Sequence, residues 1–262
     1  MLTPLKNFLT LPMARGVDLD RPEALSLHRR ILQEKKFLRR LYEECYGIFL
    51  RESKWSAHPQ AKYLELGTGG GFLKETMRSV ITSDVCAAPF IDRVVDAGHL
   101  PFEANELQGI FLLNVLHHLP KPKAFFAEAR RCLAPGGRVV MIEPFNSWFA
   151  KFMYTRFHHE PFDDSVAAWE SSGEGRMTTS NQAIPWIIFW RDKDTFEKEF
   201  PELKIVKREP HTAIGYLVSG GMSLRSFVPG FAYPAVALLD RTLSRWSRMF
   251  PMFQTIVLEK GG

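Results

Sequence analysis

Cysteine is scarce in this chain, with only Cys45, Cys86 and Cys132 among 262 residues. They form no C-x-x-C pair and no zinc spacing, and their number is odd, so a disulfide scaffold is excluded as the basis of the fold. A reducing compartment is the simplest setting for such cysteine usage. Apolar runs of about 18 residues are also missing, which removes any expectation of a transmembrane helix. The opening MLTPLKNFLTLPMARG sets a lysine and two prolines inside its apolar part, a poor pattern for a secretory signal. These absences read together as a cytoplasmic protein. There is no internal repeat and no low-complexity tract. Neither sign of charge dominates: 34 Lys and Arg stand against 29 Asp and Glu, a net charge of +5. The cations are scattered rather than clustered, which argues against nucleic acid as the partner.

What is present fits one large α/β domain, with 45% hydrophobic and 24% charged residues. Asp20-Arg21-Pro22-Glu23 has the form of a helix start, with a capping Asp, a Pro in the first turn and a Glu three residues on. Leu27, Ile31, Leu38, Leu41, Cys45 and Ile48 follow at spacings of three, four or seven, which predicts one amphipathic helix to about Leu50. Such a helix buttresses the core or walls a substrate pocket. Short apolar strands are expected at Tyr63–Leu66, Ile81–Val85, Arg93–Val95, Gly109–Asn114 and Arg138–Ile142. Helices at Phe72–Val80 and Pro122–Leu133 and a turn at Pro135-Gly136-Gly137 separate them. Strands and helices in alternation argue for a parallel, doubly wound sheet. Beyond Glu143 the rhythm changes to an aromatic-rich insertion containing the loop SSGEGRMTTSN. A helix capped by Asp194, strands at Leu203–Lys207 and Thr255–Glu259, and a second insertion between them complete the chain. One domain results: an arm and helix (1–60), a core (61–146), an aromatic cap (147–193) and the rest of the sheet with an inserted helix (194–262).

The most informative segment is Glu65-Leu66-Gly67-Thr68-Gly69-Gly70-Gly71. A strand delivers the chain to a tight turn, and a helix begins directly after it. Glycine tolerates positive φ and lets a ligand approach the backbone closely, and amides at a helix start can donate to an anionic or polar group. The dinucleotide fingerprint G-x-G-x-x-G would require its third glycine at position 72, which is Phe72, so an NAD(P)-binding oxidoreductase on a similar sheet is the weaker alternative. Asp84, followed by Val85, ends the second strand, where a carboxylate can accept from ribose hydroxyls. Asp96, followed by Ala97, ends the third and could accept from an adenine amine. Asn114 ends the fourth. Carboxyl ends of strands are where open α/β sheets bind ligands.

With these residues placed, the sequence resembles the class I S-adenosylmethionine (SAM)-dependent methyltransferases, particularly the small-molecule branch. The matching pieces are ELGTGGG, the acidic residue of ITSDV, DAGHLPF, NVLHHLPKP and LAPGGRVVMIEP, spanning 61 to about 146. The resemblance implies a Rossmann-like sheet of seven mostly parallel strands with an antiparallel last strand, and S-adenosylhomocysteine as product. It implies that Glu65, Gly67, Thr68, Gly69, Gly70 and Gly71 lie against the methionine part of SAM. Asp84 and Val85 would hold the ribose, Asp96 and Ala97 would face the adenine, and Asn114 would sit near the amino-acid end. One departure stands out: the place at the start of the fourth strand where this family often has an Asp is taken by Gly109.

Methyl transfer from a sulfonium is an in-line displacement, so positioning of the acceptor is the protein's main task. A base helps when the acceptor carries a proton. His117 and His118, just past the fourth strand, and Glu143, ending the fifth, are the candidates, with His158 and His159 as further contacts to substrate. No metal constellation stands out; His158, His159, Asp163 and Asp164 make only a weak cation group, because adjacent residues seldom point at one ion. The aromatic insertion carries Trp148, Phe149, Phe152, Met153, Tyr154, Phe157, Phe162 and Trp169, followed by Trp186, Phe189 and Trp190. It reads as a packed cap or as a lid over an apolar acceptor. In the second insertion Val236, Leu239, Leu243, Trp246 and Phe250 form one stripe and Arg241, Arg245 and Arg248 another. Such a helix docks on its own domain or lies on an anionic membrane surface. The acceptor is therefore expected to be a small molecule, hydrophobic or lipid-linked, with peripheral membrane contact. A SAM-fold protein that binds a membrane or partner without turnover is the remaining alternative.

Overall fold

A computed structural model describes residues 9–15, 22–158, 160–171 and 180–262. The expected capping Asp20, His159 and most of the SSGEGRMTTSN loop lie outside them. Seven strands form one sheet in the order β3-β2-β1-β4-β5-β7-β6. They are β1 (Lys62–Leu66), β2 (Val80–Asp84), β3 (Arg93–Val94), β4 (Leu107–Leu113), β5 (Leu133–Pro144), β6 (Leu203–His211) and β7 (Phe253–Lys260). The strands from β3 to β5 pair in parallel, and β7 is antiparallel to both of its neighbours. The order reverses between β1 and β4, so a crevice opens there at the carboxyl ends of the strands.

Strand alternation sends β4 into two cores: Leu107, Ile110 and Leu112 join one cluster, and Phe111 joins the other. The first cluster is covered by α4 (Pro122–Cys132), α5 (Trp148–Phe157), the helical run α6 (Ile184–Trp186) and α7 (Lys193–Glu199). The second is covered by α1 (Glu23–Glu34), α2 (Lys36–Glu52), α8 (Gly215–Ser219) and α9 (Tyr233–Ser244). Gly109 has a packing reason: a Cβ there would stand 2.8 Å from the Tyr63 ring. That ring stacks on Phe111, which stacks in turn on Phe49 of α2.

Four local expectations are corrected. The single helix of residues 20–50 is two helices, broken at Lys35 (φ −88°, ψ 86°). Lys35 is buried and its ammonium donates to the carbonyls of Gly221 and Leu224. Burial lowers its pKa to about 8. The break turns this side chain inward, a cause nearly two hundred residues away that periodicity does not register. The helix expected at Phe72–Val80 is only the short α3 (Leu73–Thr76). Residues 72–79 as helix would rise ~12 Å, too little to return along a five-residue strand of ~16 Å, so the chain stretches out at Met77. Pro135-Gly136-Gly137 lies inside β5, with Gly136 at φ +75° beside an irregularity in the β4–β5 register. Asp194 sits in the first turn of α7 rather than at its cap. The capping position belongs to Asp192, whose carboxylate is taken by Arg191 and the Trp169 indole.

The insertions divide their aromatics. Tyr154, Phe162, Trp169 and Phe189 are buried in the first cluster, whereas Trp148, Phe152 and Phe157 are exposed. The inward face of α9 is Tyr233 and Asp240 with Val236 and Ala237, so only Val236 of the predicted stripe lies on it. The helix ends at Ser244, and Leu239 and Trp246 point into solvent with Arg241, Arg245 and Arg248.

Candidate functional site

β1 ends on the glycine loop, and each glycine there answers a different constraint. Gly67 (φ +62°) has no room for a side chain, because a Cβ would meet Val115 at 2.6 Å. Gly69 (φ +58°) faces open space, with only the Gly67 carbonyl oxygen at 3.9 Å. Gly70 and Gly71 face protein instead. A Cβ on Gly70 would stand 2.3 Å from the Arg29 amide of α1, and one on Gly71 would stand 2.7 Å from the Tyr46 hydroxyl of α2. The N-terminal helices thus close down on the loop. Arg29 donates to the Gly71 carbonyl at 2.6 Å, and the Phe72 amide donates to the Tyr46 hydroxyl at 2.9 Å.

Beneath the loop, Glu65 is buried and accepts from the Thr68 hydroxyl at 2.9 Å. Burial drives its pKa up to about 8, against the pull of Thr68 and Arg29. The Thr68 hydroxyl also accepts from the Ser83 amide, tying the loop to β2. Asp84, buried at the end of β2, accepts from the Gly69 amide at 3.0 Å and the Cys86 amide at 3.2 Å. It therefore holds the turn in which Gly69 keeps positive φ. Val85 beside it is exposed. Past β3, Asp96 is exposed and accepts from the Gly98 amide, while Ala97 is buried. Asn114 leaves β4 at φ +56°, and its side-chain oxygen is buried without a hydrogen-bond partner. The strand order sets Asp96, Asp84, the glycine loop and Asn114 along one edge, at the ends of β3, β2, β1 and β4.

These features fit an adenosyl-methionine group. Gly69 offers a backbone cradle that a side chain would fill. The orphaned Asn114 oxygen, beside the crevice mouth, lacks a donor such as an ammonium supplies. The buried Glu65 carboxyl is the group whose charged form a nearby cation would favour.

The predicted bases stand differently. Glu143 is fully buried and accepts three N–H groups: the Val115 and Leu116 amides at 2.8 and 2.7 Å, and His117 Nδ1 at 2.6 Å. His117 Nε2 lies 3.5 Å from Glu160 Oε2. Burial opposes a charge on His117, but Glu143 and Glu160 outweigh it and raise its pKa to about 9. Burial likewise raises Glu160, yet His117 and His118 hold it well below the usual carboxylate range. An imidazolium clamped between two carboxylates has no lone pair to offer, and Glu143 is spent on the turn at 115–117. Neither is placed to act as a general base in this arrangement. His118 Nε2 lies 3.8 Å from Glu160 Oε1 and keeps 16% of its side chain exposed. His158 bonds Gln182. Asp164 is taken by Lys151 and Asn146, and Asp163 by Ser165.

Sequence reasoning missed Glu160, Gln182, His211 and Tyr216. The last two line a pocket of about 60 Å³ that reaches Asn114, with Leu41, Tyr42, Cys45, Ile48, Leu113 and Phe253 among its walls. The pocket shares Leu41, Glu44, Ile48, His211 and Thr212 with an outer cavity of about 500 Å³ between α2 and α9. His211 is half-buried, bonded to the Thr212 and Thr255 hydroxyls, and desolvation lowers its pKa to about 4, so it is neutral. No local pattern in the sequence marks any of the four.

Residues 64–141 match the model of a family described as methyltransferase domain. The matched segment, from β1 into β5, carries a methyltransferase domain. Among solved structures it is similar to geranyl diphosphate C-methyltransferase from Streptomyces coelicolor A3(2), crystallised with Mg2+, geranyl diphosphate and S-adenosyl-L-homocysteine. The identity is 15%, covering 97% of this chain and 88% of that one, with a TM-score of 0.48. A SAM-dependent methyltransferase from Archaeoglobus fulgidus is 15% identical over 84% of this chain and 98% of its own, with a TM-score of 0.46. The [4+2]-cyclase SpnF is 15% identical over 83% and 80%, with a TM-score of 0.43. A comparison with curated proteins gave no match.

Proposed function

We propose that the protein transfers the methyl group of SAM to a small amphipathic acceptor that enters between α2 and α9. One observation carries this reading: the outer cavity of about 500 Å³ shares five residues with the inner pocket that ends at Asn114. Phe37, Leu41, Ile48, Tyr233 and Val236 supply apolar wall, and Glu44, Arg241 and Arg245 supply charge. An apolar body with a polar head suits that division. Exposed Leu238, Leu239 and Trp246 lie on the same insertion as the arginines, which favours an acceptor delivered from a lipid surface.

SAM supplies an activated methyl group whose leaving thioether needs no acid. The chain's own residues bind, orient and keep water away. Asp84 and the Gly69 turn fix one side of the crevice, and the apolar inner pocket aligns the acceptor beyond Asn114. Alignment of this kind lowers a barrier by up to about 7–11 kcal/mol. Neutral His211 lines both cavities with its two ring nitrogens held by the Thr212 and Thr255 hydroxyls, so it shapes the wall of the acceptor path.

Ala237 lines the outer cavity and not the inner pocket that reaches Asn114, so it separates the two halves of the site. Ala237→Trp is expected to leave SAM affinity unchanged within about twofold while abolishing transfer of labelled methyl from SAM into a detergent-solubilised lipid extract. Unchanged transfer in this variant would move the acceptor path elsewhere. Failure of the wild type to bind SAM would defeat the methyltransferase reading itself.

A further inference from the structure

Three segments that are distant in sequence converge on one buried group: the turn after β4 with His117 and His118, the loop after α5 with Glu160, and the turn before α6 with Gln182. One donor atom from each of His117, His118 and Glu160 lies within 4.8 Å of the other two. His117 Nε2 lies 3.5 Å from Glu160 Oε2 and His118 Nε2 lies 3.8 Å from Glu160 Oε1, so the carboxylate faces both rings. Ligands ~2.1 Å from a tetrahedral ion stand ~3.4 Å apart, so these separations are close to those of a coordination sphere. The outer contacts match as well. His117 gives its other ring nitrogen, Nδ1, to Glu143 at 2.6 Å, the carboxylate–imidazole pairing that orients metal-bound histidines. Gln182 holds the Glu160 carboxylate with its amide nitrogen at 2.9 Å, and its amide oxygen is buried without a partner. A water on the ion would supply the missing donor.

We infer that His117, His118 and Glu160 form a site for a divalent transition-metal ion of the zinc class, with water completing its coordination. Two imidazoles and one carboxylate suit Zn2+ or Co2+ rather than Mg2+ or Ca2+, which prefer all-oxygen sites. With neutral imidazoles the group holds the two carboxylate charges of Glu143 and Glu160, which one divalent ion balances. The partial exposure of His118 gives the ion a way in. Bound there, the ion would lock the turn that carries Asn114 to the loops after α5 and before α6. This site is independent of the methyltransferase reading and stands or falls without it.

Tag-free protein stripped with a chelator and dialysed against Co2+ tests it. The expected result is one equivalent of Co2+ per chain, with the intense visible bands of a four- or five-coordinate ion, displaced by Zn2+. His118→Ala and Glu160→Gln should each weaken binding by more than the roughly 10–100-fold that loss of an outer-shell partner costs. Zn2+ should also raise the Tm of the wild type and not of His118→Ala. If Glu160→Gln does not fold, the partly exposed His118 variant decides. Substoichiometric Co2+, the pale spectrum of a six-coordinate aquo ion, or undiminished binding in His118→Ala each overturns the site.

Discussion

Gly69→Val is expected to weaken SAM binding by roughly a hundredfold or more, about 3 kcal/mol, in a protein that still folds. The direction of the Cβ decides this. At Gly69 it points into open space at the end of β1, with nothing but the Gly67 carbonyl within 4 Å. A branched side chain placed there stands in the crevice that the cofactor needs. The residue also sits at φ +58°, where an L side chain costs roughly 1–2 kcal/mol. The melting temperature should therefore fall modestly, while the calorimetric signal for SAM disappears. Gly70→Ala makes the contrast, because its Cβ would press on the backbone of His28 and Arg29 at 2.3–2.5 Å. That variant should lose stability, not affinity per folded molecule. Full SAM affinity in Gly69→Val would mean that the cofactor lies elsewhere.

Glu143→Ala is expected to destabilise the fold by about 3–5 kcal/mol, the usual cost of removing one partner from a buried charged pair. Three buried donors lose their acceptor together: two backbone amides and His117 Nδ1. For a chain of this size each kcal/mol moves Tm by roughly 2–4 °C, so a fall of about 10 °C should be seen by circular dichroism. Glu143→Gln keeps an oxygen over the Val115 and Leu116 amides and should cost less. A Tm within a degree or two of wild type for Glu143→Ala would show that the turn at 115–117 is held by something else. It would also return Glu143 to the list of candidate bases.

The half of the molecule that follows local rules was legible in the sequence. Glycines between a strand and a helix, and polar residues ending successive apolar strands, are short-range patterns, and β1 to β5 fell within a few residues of their expected places. Thr255–Glu259 read as a strand from its own residues, but its antiparallel direction came from family resemblance. Features fixed by distant partners were not legible. The break at Lys35 exists because two carbonyls near residue 222 need a donor. Glu160 and Gln182 meet His117 only because the first insertion folds back over the end of β4, and no spacing announces that meeting. The four glycines of the loop seemed to share one role in holding the cofactor, yet the fold gives them separate neighbours: Val115 at Gly67, open crevice at Gly69, and the N-terminal helices at Gly70 and Gly71. His117 and Glu143 looked like bases because they follow strand ends. Their hydrogen bonds make them part of the turn that supports Asn114.

The methyltransferase reading depends on an adenosyl-methionine lodging between the Gly69 turn and Asn114. Calorimetric titration of the purified chain with S-adenosylhomocysteine, followed by NAD+ and NADP+, addresses that directly. Saturable binding of one S-adenosylhomocysteine per chain, with no heat from either dinucleotide, is the predicted outcome. Tight dinucleotide binding, or no response to S-adenosylhomocysteine from a folded sample, would contradict it.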